Sequence, residues 1–234
     1  MLKNDLVHRN PLHHLHNSGV HRIDAGCFGA VIARAGVGKT AFMVQLALDA
    51  ILQGRNVLHI SLREPIEKVS LWYDEVFHHL TRPYRIDQIE GLWEDILPHR
   101  FIMTFKTEGF SVPKLEERMT DLTEQGIIQP HLILLDGISF EPVDTQLLQD
   151  LKAFIQIQQL PLWFTVRTHR HEEPWDGDLP RQLAPVSDMF DSVIQLAPAE
   201  DGIQILAIKH PALDSTAGPL PLVLDPTTML VKES

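Results

Sequence analysis

Short apolar runs alternate with longer amphipathic stretches along this chain, the pattern of strand–helix units stacked on a largely parallel sheet. Residues 28–33 are apolar or glycine throughout and predict a buried first strand. Residues 40–52 follow with apolar positions nearly all round, which predicts a buried helix. A second strand is expected over 56–62, with Gly54 supplying the turn before it. Ile66, Val69, Tyr73, Val76, Phe77 and Leu80 then recur at three- and four-residue steps, the stripe of an amphipathic helix. A third strand is expected over 100–105. Ser111 is placed to cap the next helix, with Pro113 in its first turn and Leu115, Met119 and Leu122 on its inner face.

Residues 131–136 form the clearest buried strand, ending in Asp136. Leu147, Leu148, Leu151, Phe154 and Ile155 mark another helix face, and 162–166 another strand. After a polar loop over 169–188, residues 192–196 and 203–209 predict a hairpin turned by Glu200-Asp201-Gly202, and 219–231 adds short terminal strands. The fold class that follows is α/β: a largely parallel central sheet with helices on both faces and a C-terminal β-hairpin. No internal repeat or heptad array is present, which excludes solenoids and coiled coils. No linker divides the chain, so a polar arm over 1–18 and a single domain over 19–234 are expected.

Charge narrows the function classes. Lys and Arg number 20 against 31 Asp and Glu, a net charge of -11, which disfavours a protein whose main task is gripping nucleic-acid phosphates. The lone Cys27 can form no internal disulfide, as in a reducing compartment. No apolar run reaches the roughly 18 residues of a membrane span, and the polar, His-rich start lacks the apolar stretch of a signal peptide. The expectation is a cytoplasmic protein without a membrane partner.

The strongest chemical signal is Ala33-Arg34-Ala35-Gly36-Val37-Gly38-Lys39-Thr40, between an apolar strand and a helix. A phosphate-binding loop needs glycines where backbone amides turn inward around an anion, then Lys and a hydroxyl residue opening the helix. Gly36 and Gly38 can take the positive φ this demands, with no side chain in the anion's way. Lys39 would reach the terminal phosphates and Thr40 would ligate the magnesium they carry, while the helix start adds free amides over Lys39, Thr40 and Ala41. The nucleotide-contacting run is thus Ala35, Gly36, Val37, Gly38, Lys39, Thr40 and Ala41. One departure is Ala33, where the usual pattern has its first glycine. Asp136, ending an apolar strand before Gly137, is the candidate second magnesium partner, holding the ion's water shell. His8, His13, His14, His16 and His21 match no closed zinc pattern and have no Cys beside them, so they read as a flexible or partner-contacting arm.

Taken together, residues 36–40, Gln45, Ser61-Leu62-Arg63-Glu64-Pro65 and Asp136 resemble the RecA-like ATPases, above all KaiC and the C-terminal domain of DnaB-type replicative helicases. The lead-in from Asn10, and Asp191-Ser192-Val193-Ile194 before a strand ending in Lys209, resemble those families too. The resemblance implies a MgATP-binding core in which Glu64 polarises the attacking water and Arg167 or Thr168 senses the terminal phosphate. It also implies that Lys209 acts on the nucleotide of a neighbouring subunit in a homo-oligomer, or in a complex with a protein partner. Pro211 stands where those families place a second trans-acting cation, an Arg. With Ala33, it points to slow hydrolysis, or to a nucleotide-binding regulator of little catalysis. A nucleic-acid-linked ATPase is the remaining alternative, disfavoured by the charge.

Overall fold

The structure, a computed structural model, describes residues 2–9, 12, 23–82, 84, 86–169, 179–209 and 218–233. Nine strands form one sheet: β1 (Phe28–Arg34), β2 (Val57–Ser61), β3 (Arg100–Thr104), β4 (Leu132–Asp136), β5 (Leu162–Thr168), β6 (Ser192–Ala199), β7 (Gly202–Lys209), β8 (Gly218–Leu224) and β9 (Val231–Glu233). Their spatial order is β3-β2-β4-β5-β1-β6-β7-β8-β9. The first six in that order pair in parallel, and β7, β8 and β9 extend the sheet antiparallel. The expected C-terminal hairpin is therefore part of a longer meander joined to the parallel core through β6.

Six helices flank this sheet among the described residues: α1 (Leu2–Arg9), α2 (Lys39–Leu52), α3 (Ile66–Thr81), α4 (Ile86–Ile96), α5 (Val112–Glu124) and α6 (Thr145–Gln158). Two apolar layers result. On one face α2 packs beneath Val31, Leu134, Trp163 and Ile194, with Tyr73 and Phe77 of α3 and Ile96 of α4 closing it from outside. On the other face Leu115 of α5 and Leu151, Phe154 and Ile155 of α6 cover Ile32, Ile60, Ile133 and Phe164. Every residue of α2 from Ala41 to Leu52 is buried, as its all-round apolar sequence requires. Each large apolar side chain there contributes about 1.5–3 kcal/mol of burial, so the helix that opens at Lys39 is anchored from behind.

Three local results differ from the sequence pattern. α4 adds a helix between Thr81 and Arg100, where Gly91 and Pro98 obscure the stripe of Ile89, Leu92, Trp93 and Ile96. Ser111 occupies the N-cap position of α5, yet its side chain makes no capping bond; Asp144 does cap α6, accepting from the Leu147 amide at 3.0 Å. Within the expected polar arm, Leu2–Arg9 is helical, and Leu6 and Leu12 are buried in the same apolar layer as α2. The remaining arm histidines, the loop over 170–178 with Trp175, and Pro211 lie outside the described residues.

Candidate functional site

The chain leaves β1 at Arg34, turns through Ala35 to Gly38, and enters α2 at Lys39. Gly36 and Gly38 hold φ of 80° and 104°, the left-handed region that their lack of a Cβ permits. A Cβ on Gly38 would also stand 2.8 Å from Leu224 Cδ2 and 3.2 Å from Met229 Sδ, so the C-terminal meander leans directly on the loop. Ala33 lies inside β1, buried and paired with Arg167, with no positive φ to relieve. Its methyl group is thus accommodated in ordinary strand backbone, and the missing glycine leaves the loop geometry intact.

Among the described residues, the amides of Gly36, Gly38, Lys39, Thr40 and Ala41 donate to no acceptor. They stand at the N-terminal end of a 14-residue helix, where free N–H groups and the helix dipole favour an anion. Lys39 Nζ folds back onto the carbonyls of Ala33 and Arg34, at 2.9 Å each. Burial pulls its ammonium down to about 8; the Asp136 carboxylate opposes this and the Arg167 charge adds to it.

Strand order assembles the rest. β5 lies between β1 and β4, which sets Thr165 across from Val31 on one side and beside the end of β4 on the other. Asp136, at that end, accepts from Thr40 Oγ1 at 2.9 Å through Oδ2 and from Thr165 Oγ1 at 2.6 Å through Oδ1. The Thr165 hydroxyl in turn accepts the Gly137 amide at 3.2 Å. Arg167 follows two residues later on the same face as Thr165 and Trp163, while Val166 points into the opposite layer. A hydroxyl and a carboxylate side by side next to an anion cradle form a hard-oxygen pair that fits magnesium. That ion keeps most of its waters and takes its other ligands from phosphates. Among the described residues no cluster of three or more His, Cys, Asp or Glu competes as a metal site.

Lys39, Thr40 and Asp136 are therefore brought together, with Ala35 to Ala41 around them. Glu64 and Lys209 are not. Glu64 lies just past β2, where Ser61 pairs with Asp136, but its Oε2 accepts from Lys68 Nζ at 2.9 Å one turn into α3. Ser61 Oγ holds this corner by donating to the Glu64 carbonyl at 2.8 Å and accepting its amide at 3.1 Å. Lys209 ends β7 level with Val193, which in turn pairs with Ala30, near the start of β1 rather than its loop end. Its Nζ donates to the Ser187 carbonyl at 2.9 Å.

Two contacts have no signature in sequence spacing. Thr165 reads as an ordinary strand residue until β5 is known to lie against β4. Gln45, buried in α2, donates through Nε2 to the Met229 carbonyl at 2.7 Å and accepts the Val231 amide at 2.7 Å through Oε1. It fastens the β8–β9 turn to the helix that carries the loop.

This order of strands, with the loop leaving a central strand, matches a solved structure, the ATPase domain of a DnaB-like helicase. The superposition has a TM-score of 0.66 and covers 91% of this chain and 86% of that one, at 15% sequence identity. The fold is RecA-like. No protein-family model and no curated protein matches the sequence. In this RecA-like domain the phosphate loop, Asp136 and Thr165 occupy the C-terminal ends of parallel strands, the side on which open α/β sheets form their ligand crevice. No helix among the described residues is long and apolar enough to cross a membrane.

Proposed function

We propose that this chain is a MgATP-binding RecA-like ATPase that hydrolyses its nucleotide slowly and works in a cytoplasmic oligomer or with a protein partner. The observation that carries the reading is the cradle itself: five free amides at the start of α2, with Lys39, Thr40 and Asp136 converging on it. In this reading the amides of residues 35–41 hold the phosphates, and Lys39 swings from the Ala33 and Arg34 carbonyls to the terminal ones. Thr40 and Asp136 hold the magnesium, which when bound neutralises charge on the bridging phosphate oxygens. Arg167, on the face of Thr165 and electrostatically coupled to Lys39, is the better phosphate sensor of the pair Arg167 and Thr168.

Glu64 is the carboxylate proposed to orient the attacking water. Its ion pair with Lys68 must first open, which supports slow turnover and gives the weakly catalytic regulator its one specific argument. Lys209 reaches no phosphate of its own loop, so its proposed partner is the nucleotide of another copy, as in KaiC and DnaB-type ATPases. The -11 charge keeps nucleic acid out of the leading reading.

The test is calorimetric titration with MgATP, with phosphate release and particle size measured on the same sample. Binding that is lost in Lys39→Ala, with turnover lost in Glu64→Gln, is expected. Absence of ATP binding by the parent protein would refute the reading.

A further inference from the structure

β2 sends Val57 into the α2 layer and Leu58, Ile60 and Leu62 into the opposite one. Past the strand, Arg63 comes back across the end of β4. Its Nε donates to the Gly137 carbonyl at 3.0 Å, and its Cγ lies 2.9 Å from where a Cβ on Gly137 would stand. The stem thus lies flat on Gly137, a residue at φ +94° that carries no side chain to obstruct it. Arg63 is exposed, and among the described residues its two Nη groups have no acceptor.

Gly137 directly follows Asp136, whose oxygens are shared between Thr40 and Thr165. A triphosphate seated on a loop of this kind runs from the helix amides past the metal-holding hydroxyl and carboxylate, so its last phosphate ends on the outer side of that carboxylate. That is where Arg63 stands. A guanidinium tied down by Nε presents its Nη edge as a fixed planar fork, the geometry that grips a phosphate through two parallel bonds with little further ordering.

We propose that Arg63 is a ligand, from the same chain, for the terminal phosphate of a bound nucleoside triphosphate, making the site selective for triphosphate over diphosphate. The proposal rests on the phosphate-loop reading of residues 33–40. It adds a cation in cis, on the side of Asp136 opposite the loop.

The experiment measures affinity for a non-hydrolysable ATP analogue and for ADP, each with magnesium, in the parent protein, Arg63→Ala, Arg63→Lys and Lys39→Ala. Arg63→Ala should weaken the triphosphate analogue by about 10- to 150-fold, the span of one hydrogen bond to a charged group, and leave ADP unchanged. Arg63→Lys should recover part of the loss, because it keeps the charge without the fork. If Arg63 only braces the turn at Gly137, Arg63→Ala will weaken both nucleotides equally and lower the unfolding midpoint of the free protein, which overturns the proposal. Equal affinity of Arg63→Ala and parent for the analogue overturns it as well. A Lys39→Ala protein that binds both nucleotides like the parent would overturn the phosphate-loop reading, and this inference with it. A site that depends on Lys39 but is indifferent to Arg63 would overturn this inference alone.

Discussion

Thr165 Oγ1 donates to Asp136 Oδ1 across 2.6 Å, on the side of the carboxylate away from Thr40. The same hydroxyl accepts the Gly137 amide, so one small side chain fixes both the orientation of Asp136 and the turn that follows it. Thr165→Val keeps the shape and removes both bonds. It should cost about 1–3 kcal/mol in urea unfolding, because two polar groups lose a partner. Magnesium-dependent nucleotide affinity should fall about tenfold, as expected for a misaligned metal ligand, and Thr165→Ser should restore both. A Val variant equal to the parent in both measurements would show that Asp136 is oriented by Thr40 alone.

Nucleotide binding should take up a proton at alkaline pH. Burial holds free Lys39 at about 8, and a phosphate beside it favours the charged form and raises that value. Below about pH 8 the ammonium is already protonated and affinity is level; above it, affinity should fall up to tenfold per pH unit, because binding must first recharge the amine. Calorimetry near pH 9 in two buffers of different ionisation enthalpy reads the uptake directly, roughly one unit above the free amine's midpoint. The sign for stability is the reverse: a Lys lowered in the folded state means that the unfolded chain binds more protons. The free protein should therefore gain stability as pH rises from about 8 towards the ordinary 10.5.

Gln45→Leu should loosen the C-terminal meander while leaving α2 helical. It strips the Met229 carbonyl and the Val231 amide of their side-chain partner in a buried place. Two orphaned groups of this kind cost about 2–4 kcal/mol in total, measurable as a lower urea midpoint. Because Leu224 and Met229 rest on Gly38, hydrogen exchange in the phosphate loop should rise with it. Unchanged loop protection would separate the meander from the site.

Lys209→Ala should lower turnover and spare nucleotide affinity, since a trans-acting cation stabilises charge that develops on the transferring phosphoryl group. Mixing it with Glu64→Gln subunits should restore part of the activity, because some interfaces then pair an intact Glu64 with an intact Lys209. A dispensable Lys209, bonded only to the Ser187 carbonyl, would leave the Ala variant fully active. Concentration-independent turnover by a monomer would exclude the trans role altogether.

Local physics made part of this protein readable from its residues alone. Apolar runs too short for helices but bounded by turn residues had to become buried strands. The all-round apolar stretch after Thr40 had to become a buried helix, and Gly36 and Gly38 could supply the backbone that an anion cradle needs. These elements rest on neighbours a few residues apart, and so the strands, the loop and Asp136 at a strand end were all visible. The order of the strands, and everything that depends on it, was decided only in three dimensions. Thr165 meets Asp136 from 29 positions away, Arg63 meets Gly137 from 74, and Gln45 meets Val231 from 186. Each of these is an ordinary polar residue in its own stretch of chain. None acquires a role until packing of the two apolar layers brings the distant partner within hydrogen-bond reach. The same packing gave Glu64 a partner in Lys68 and set Arg63, its neighbour, across the end of β4. Which of two adjacent side chains faces the crevice depends on the strand's alternation and on the turn that ends it.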